Sequence, residues 1–156
     1  MVKRLYIDTS VFGGYFDEEF EAATRFFFDR IIKNQVQIVV SDILELEIYE
    51  APNHIIEFYE SLPDDLIERV KLTEDVLNLS EKYIIEKVVG RINRADCQHI
   101  AIATVNNVEA LISWNYKHIV NLEKIRGYNA INLKAGYQML EIRTPNEVFN
   151  YEEGQS

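Results

Sequence analysis

Leu5-Tyr6-Ile7-Asp8-Thr9-Ser10 decides how this chain reads. Three residues suited to a strand stop abruptly at a carboxylate and two hydroxyls, so a first strand ends in a polar turn. The pattern returns downstream. Val36 to Val40 is mostly β-branched and ends at Ser41-Asp42, a buried strand running into a helix N-cap. Ala110-Leu111-Ile112 stops at Ser113-Trp114-Asn115. Helical periods fill the intervals. Phe20, Ala23, Phe27 and Ile31 recur at helical spacing within 18–33, with acids in front and Arg30 and Lys33 behind. Strands alternating with helices predict an α/β fold with a mostly parallel sheet of about five strands.

The remaining elements follow from punctuation. Gly13-Gly14 reads as a break. A helix through Glu45 and Glu47 stops before Pro52, another covers 53–61, and Pro63-Asp64-Asp65 turns. Val70-Lys71-Leu72 is a weak third strand. A helix from Glu74 to Val89 has Thr73 as its cap and Gly90 as its stop. A further helix spans Asn93 to Val105, a short one Tyr116 to Lys124, and a last strand Met139 to Ile142. Thr144-Pro145-Asn146-Glu147 has the form of a capping box with proline at the first helical position. No repeat or linker interrupts 1–150, which predicts one domain followed by a short acidic tail over 151–156.

At 156 residues the chain is long enough for one core. It has no apolar run of membrane-spanning length, and Cys97 has no second cysteine to pair with. These features predict a soluble, cytoplasmic protein. The net charge of −10 is unexpected for a partner with an anionic backbone. Its distribution is uneven. Residues 1–86 carry −11, whereas 87–143 carry +4, with eight Lys/Arg against four Asp/Glu. The later part can present a cationic face, although solvated helix faces would look the same.

In open α/β sheets ligands bind beyond the carboxyl ends of the strands. If the first and fourth strands are neighbours, Asp8 and Asn115 meet there. Asp96 starts the helix before the fourth strand and can reach the same edge, and Glu47 can face back toward it. Glu45 and Glu47 do not share a helix face, so only one enters, with Glu45 as the substitute. Clustered carboxylates call for a hard cation, Mg²⁺ or Mn²⁺, which can activate water at a phosphodiester. Each position has a plainer explanation. Asp8 and Asn115 can be turn residues, Asp96 a helix-start acid following Asn93, and Glu47 a solvated helix acid. His99 can face the pocket or be a satisfied core residue. Thr9 and Ser10 can bond a carboxylate or phosphate, or cap the turn. Cys97 suits a small buried hydrophobe. Phe26, Phe27 and Phe28 cannot share one helix face, so one of them can be exposed at a dimer or partner surface.

Four segments together resemble the PIN-domain ribonucleases, including the VapC-type toxins. They are Leu5-Tyr6-Ile7-Asp8-Thr9-Ser10, Ser41 through Glu47, Asp96-Cys97-Gln98-His99-Ile100-Ala101-Ile102-Ala103, and Leu111-Ile112-Ser113-Trp114-Asn115, followed by Arg143 through Glu147. The match runs nearly the whole chain, in order. It implies a three-layer α/β/α fold, Mg²⁺ or Mn²⁺ held by Asp8, Glu47 and Asp96, and RNA cleavage. It also implies a homodimer and a small antitoxin partner. Asn115 stands where the family pattern expects Asp, and an amide brings neither charge nor a useful base. The alternative is therefore a weak or inactive module of the same fold that binds RNA or protein. A phosphoacceptor receiver domain fits poorly, because its acceptor Asp comes later in the chain than Asp8.

Overall fold

The computed structural model describes residues 3–88 and 93–149. Five strands, β1 (Arg4–Ile7), β2 (Gln37–Ser41), β3 (Ile67–Val70), β4 (Ala110–Ile112) and β5 (Ile142–Arg143), form one sheet in the order β3-β2-β1-β4-β5. Every pairing is parallel. Alternation along the strands loads both faces. Leu5, Ile7, Ile38, Val40, Ala110 and Ile112 pack on one side with Phe12, Phe27, Phe28 and Leu44. Tyr6, Val39 and Leu111 pack on the other with Val76, Tyr83, Ile100 and Tyr128. The first layer of helices holds α1 (Thr9–Gly14), α2 (Glu21–Lys33), α3 (Asp42–Tyr49), α4 (Asn53–Ser61) and α8 (Pro145–Val148). The second holds α5 (Glu74–Ile85), α6 (Arg94–Val105) and α7 (Leu122–Lys134). The result is the α/β fold with a parallel sheet expected from the alternating pattern, in the three-layer α/β/α form that the family resemblance implied. No helix among the described residues is long and apolar enough to cross a membrane.

Several caps follow local chemistry. Ser41 Oγ accepts from Leu44 N at the start of α3, and Thr73 accepts from Val76 N at the start of α5. Thr144 N–H donates to the Glu147 carboxylate at 3.0 Å, half of the capping box at α8. α5 ends at Ile85 with Glu86 as its C-cap, short of the predicted end at Val89, while Val89, Gly90 and the tail 151–156 lie outside the described residues.

Four further expectations are corrected. Residues 9–14 are a helix rather than a polar turn broken at Gly13-Gly14. Gly14 is required for packing: a Cβ there would come within 2.8 Å of the Trp114 indole. β3 lies at Ile67–Val70, three residues before the predicted position. It stops because Leu72 N–H is taken by the Asp42 carboxylate at 3.1 Å instead of a neighbouring strand. The last strand begins at Ile142, not Met139. Asn129, buried on α7, accepts from Leu140 N at 2.7 Å and donates to Leu140 O at 3.0 Å, so that residue cannot pair with β4. The predicted helix over 116–124 is a turn over 116–119, and the helix begins only at Leu122, as α7 running to Lys134. Asn121 caps α7 through Lys124 N. Among the three consecutive phenylalanines, Phe27 and Phe28 are buried, while Phe26 is half-buried under the Arg30 guanidinium.

Candidate functional site

β1 lies beside β4 with Ile7 opposite Ile112. The next residues, Asp8 and Ser113, therefore meet at the carboxyl edge, at the topological switch point of the sheet. Asp8 is 5% exposed and its carboxylate is held firmly. Ser10 Oγ donates to Oδ2 at 2.7 Å and Ser113 Oγ donates to the same oxygen at 2.9 Å. Each hydroxyl is itself oriented by a backbone N–H, that of Trp114 on Ser10 and that of Asn115 on Ser113.

Asp96 sits in the first turn of α6. Burial, then the charge of Asp8, pushes its carboxyl up to about 6, and Glu47 adds to the rise, while His99 opposes it. Asn115 Nδ2 reaches Asp96 Oδ2 at 3.5 Å, while its own Oδ1 accepts from His118 N at 3.0 Å. Asn115 thus closes the turn after β4 and also touches Asp96.

Glu47 points back to the sheet edge from α3. Thr9 Oγ1 donates to Oε1 at 2.5 Å, and His99 Nε2 lies 2.8 Å from the same oxygen. Burial would raise the Glu47 carboxyl, but the His99 and Thr9 hydrogen bonds leave it below its ordinary value. Burial would likewise lower His99, yet Glu47, Asp8 and Asp96 carry it above its ordinary value. The other ring nitrogen, Nδ1, lies 2.6 Å from the Tyr6 hydroxyl, which is 2.8 Å from Ser41 Oγ. A buried chain Ser41–Tyr6–His99–Glu47 therefore runs from the α3 cap to the site. Glu45 faces away, bonded by Tyr59 at 2.8 Å and Arg69 at 3.3 Å.

The four positions expected from sequence thus stand around one sheet edge. Tyr6, Ser41 and Ser113 were not foreseen as parts of the site. For Ser113 the signal was its place one residue beyond β4. For Tyr6 the signal was a phenol alternating with Leu5 and Ile7, a polar atom under otherwise apolar layers.

The donor set is one of hard oxygens, and the upward push on Asp96 by Asp8 is a repulsion that a cation relieves. Among the described residues no three of His, Cys, Asp and Glu are spaced to enclose a metal together. Thr9 and His99 hold Glu47 to its own side. Mg²⁺ keeps several waters and needs only one or two carboxylates plus a substrate phosphate. The Asp8–Asp96 pair fits that requirement. Nearby cations come from the later part of the chain. Burial, then Lys117 and Lys124, lowers His118, and Arg94 and Lys124 act on Cys97 beside Asp96.

No family model matches the sequence, and no curated relative matches it. Solved structures do match by fold. One is the VapBC2 of Rickettsia felis bound to a DNA fragment from its promoter, with 12% identity and a TM-score of 0.55, covering 90% of this chain and 98% of that one. Another is Mycobacterium tuberculosis VapC20, described as a sarcin-ricin-loop-cleaving toxin, with 10% identity and a TM-score of 0.54, covering 88% and 98%. With its all-parallel sheet, flanking helices and strand order, the chain has a PIN-domain, VapC-like fold.

Proposed function

We propose that the protein is a divalent-metal-dependent endoribonuclease, the toxin of a toxin–antitoxin pair working in the cytoplasm. The observation that carries this reading is the placement of Asp8 at the switch point between β1 and β4, with Asp96 close enough that burial and then the Asp8 charge raise its carboxyl, and Glu47 acting on it as well. Asp8 and Asp96 would hold Mg²⁺ or Mn²⁺. When bound, the ion supplies Lewis-acid polarisation of the phosphodiester and a water activated at neutral pH. The chain's own residues do the rest. Ser10 and Ser113 fix the Asp8 carboxylate, and Asn115 steadies Asp96. Glu47, kept ionised by His99 and Thr9, adds a third negative charge and an acceptor for water. Lys117 and Lys124 engage the RNA backbone on the Asn115 side.

RNA incubated with Mn²⁺ or Mg²⁺ tests the reading. Asp8→Asn should lower the cleavage rate by on the order of 100-fold or more, because one of two ligand charges is lost. Equal cleavage by variant and wild type would sink the proposal. A second reading, a non-catalytic RNA- or protein-binding module, is favoured by Asn115, an amide where a fourth acid would strengthen metal binding. Calorimetric titration with Mn²⁺ separates the two. Binding that disappears in Asp96→Ala supports the enzyme, and no uptake supports the module.

The Rickettsia complex motivates a partner: a small antitoxin, co-expressed from a neighbouring reading frame, should co-purify with this chain and relieve growth inhibition. We also propose a homodimer, which sedimentation would check.

A further inference from the structure

Beside the acidic edge lies a cavity of about 460 Å³, within the ~300–1,000 Å³ range of small-molecule sites, lined by Glu19, Phe20, Trp114, Tyr116 and Asn146 among others. Its wall is aromatic. Phe20 stacks on Trp114 with ring centres 4.5 Å apart and planes at 21°, and Tyr116 stands 6.4 Å from Trp114. Tyr116 is 52% exposed, so much of its ring faces outward.

The platform is rigid. Trp114 Nε1–H donates to Thr24 Oγ1 at 2.9 Å, and the indole packs where Gly14 leaves no space for a Cβ. The platform is also continuous with the site. Trp114 N–H donates to Ser10 Oγ, which donates to Asp8 Oδ2. The next residue is Asn115, in contact with Asp96. A ligand reaching from the acids along residues 114–116 therefore meets flat rings.

Charge selects the ligand. Glu19 lines the cavity, and Glu147 and Glu19, after burial, push the Tyr116 phenol upward. An anionic phosphate is disfavoured there. A neutral planar ring with an exocyclic amine is favoured, since stacking needs only a π face and the projecting NH2 offers the carboxylate a donor that uracil's ring-edge carbonyls do not. We propose that this cavity is a nucleobase subsite, taking a base with an exocyclic amine from the nucleotide next to the scissile phosphate. This rests on the RNA-cleaving reading and adds a specificity element to it.

Trp114, the sole tryptophan of the chain, forms a buried part of the cavity wall at 6% exposure, next to the exposed Tyr116, so its fluorescence senses occupancy of the cavity. Short RNA oligomers are titrated in chelator, where metal-dependent hydrolysis is switched off, while its fluorescence is followed. They carry adenine, cytosine, uracil or an abasic position. Adenine and cytosine oligomers should quench saturably and bind more tightly than uracil, with the abasic oligomer weakest. Tyr116→Ala should weaken binding on the order of tenfold, whereas Tyr116→Phe should retain it, because stacking uses the ring and not the hydroxyl. Glu19→Gln should reduce the preference for amine-bearing bases. Equal binding of abasic and adenine oligomers, an unchanged affinity in Tyr116→Ala, or quenching by an apolar peptide in place of the oligomers would overturn the subsite. RNA cleavage measured in parallel separates the two ideas. Base-selective binding without cleavage refutes the enzyme and keeps the subsite. Cleavage that ignores Tyr116 refutes the subsite alone.

Discussion

Asp96 shows how a single residue can be costly to the fold and useful to the site. Its folded carboxyl titrates near 6 against an ordinary 3.8, chiefly through burial and then Asp8. The ionised form therefore destabilises the metal-free protein. That cost is absent below about pH 4 and grows as pH rises through about 6. Asp96→Asn should accordingly raise the melting temperature in chelator at pH 7.5 by a few degrees, at ~2–4 °C per kcal/mol for a domain of this size. The gain should shrink at pH 4.5. A variant less stable than wild type at pH 7.5 would show that its hydrogen bond with Asn115 outweighs the repulsion. Asp8 and Asn115 were readable as site candidates because each follows an apolar strand, and Asp96 and Glu47 because a helix start and a helix turn carry them to the same edge, an order of motifs that the family resemblance reinforced. Their helpers were not. Ser113 and Tyr6 acquire meaning only when β4 and α6 bring them to partners more than 90 residues away.

At the scale of elements, α1 positions the most. It begins directly after Asp8 and turns Thr9 toward Glu47 and Ser10 toward Asp8. Its two glycines differ in kind. A Cβ added at Gly13 would meet nothing within 4 Å, whereas one at Gly14 would meet Trp114 at 2.8 Å and Thr24 at 3.0 Å. Gly13→Ala should stabilise by up to ~1 kcal/mol through helix propensity. Gly14→Ala should destabilise by ~1–3 kcal/mol through overpacking. Denaturant melts of the two variants check this, and equal midpoints would contradict the packing argument. From sequence, the pair looked like one break. The missed helix α7 has the same origin. Its interior carries Gly127, a poor helix former, but a Cβ there would come within 2.9 Å of Val88, so the glycine permits close packing of α7 on that residue. Propensity weakened the local signal where tertiary contact needed a small residue.

For the whole molecule, charge is unevenly placed: Lys117 and Lys124 act on His118, whose N–H donates to Asn115, whereas Glu147 and Glu19 act on Tyr116. Saturating Mn²⁺ should raise the melting temperature of the wild type by mass action, ~2.7 kcal/mol at 100 times Kd. The shift should vanish in Asp96→Ala, and thermal scans with and without chelator measure it. An equal shift in both proteins would place the ion elsewhere.

Hydrophobic runs and helical periods, with polar residues at strand ends, were enough to determine the α/β alternation and the mostly parallel sheet, because burial imposes those patterns locally, and the order of the four motifs named the candidate acids and the three layers by resemblance. The strand order, the chain from Ser41 through His99 to Glu47, the true ends of β3 and β5, and the aromatic cavity were decided by tertiary structure. Each depends on which distant backbone or side-chain group satisfies a polar atom or fills a gap, and that choice is made only when the elements pack.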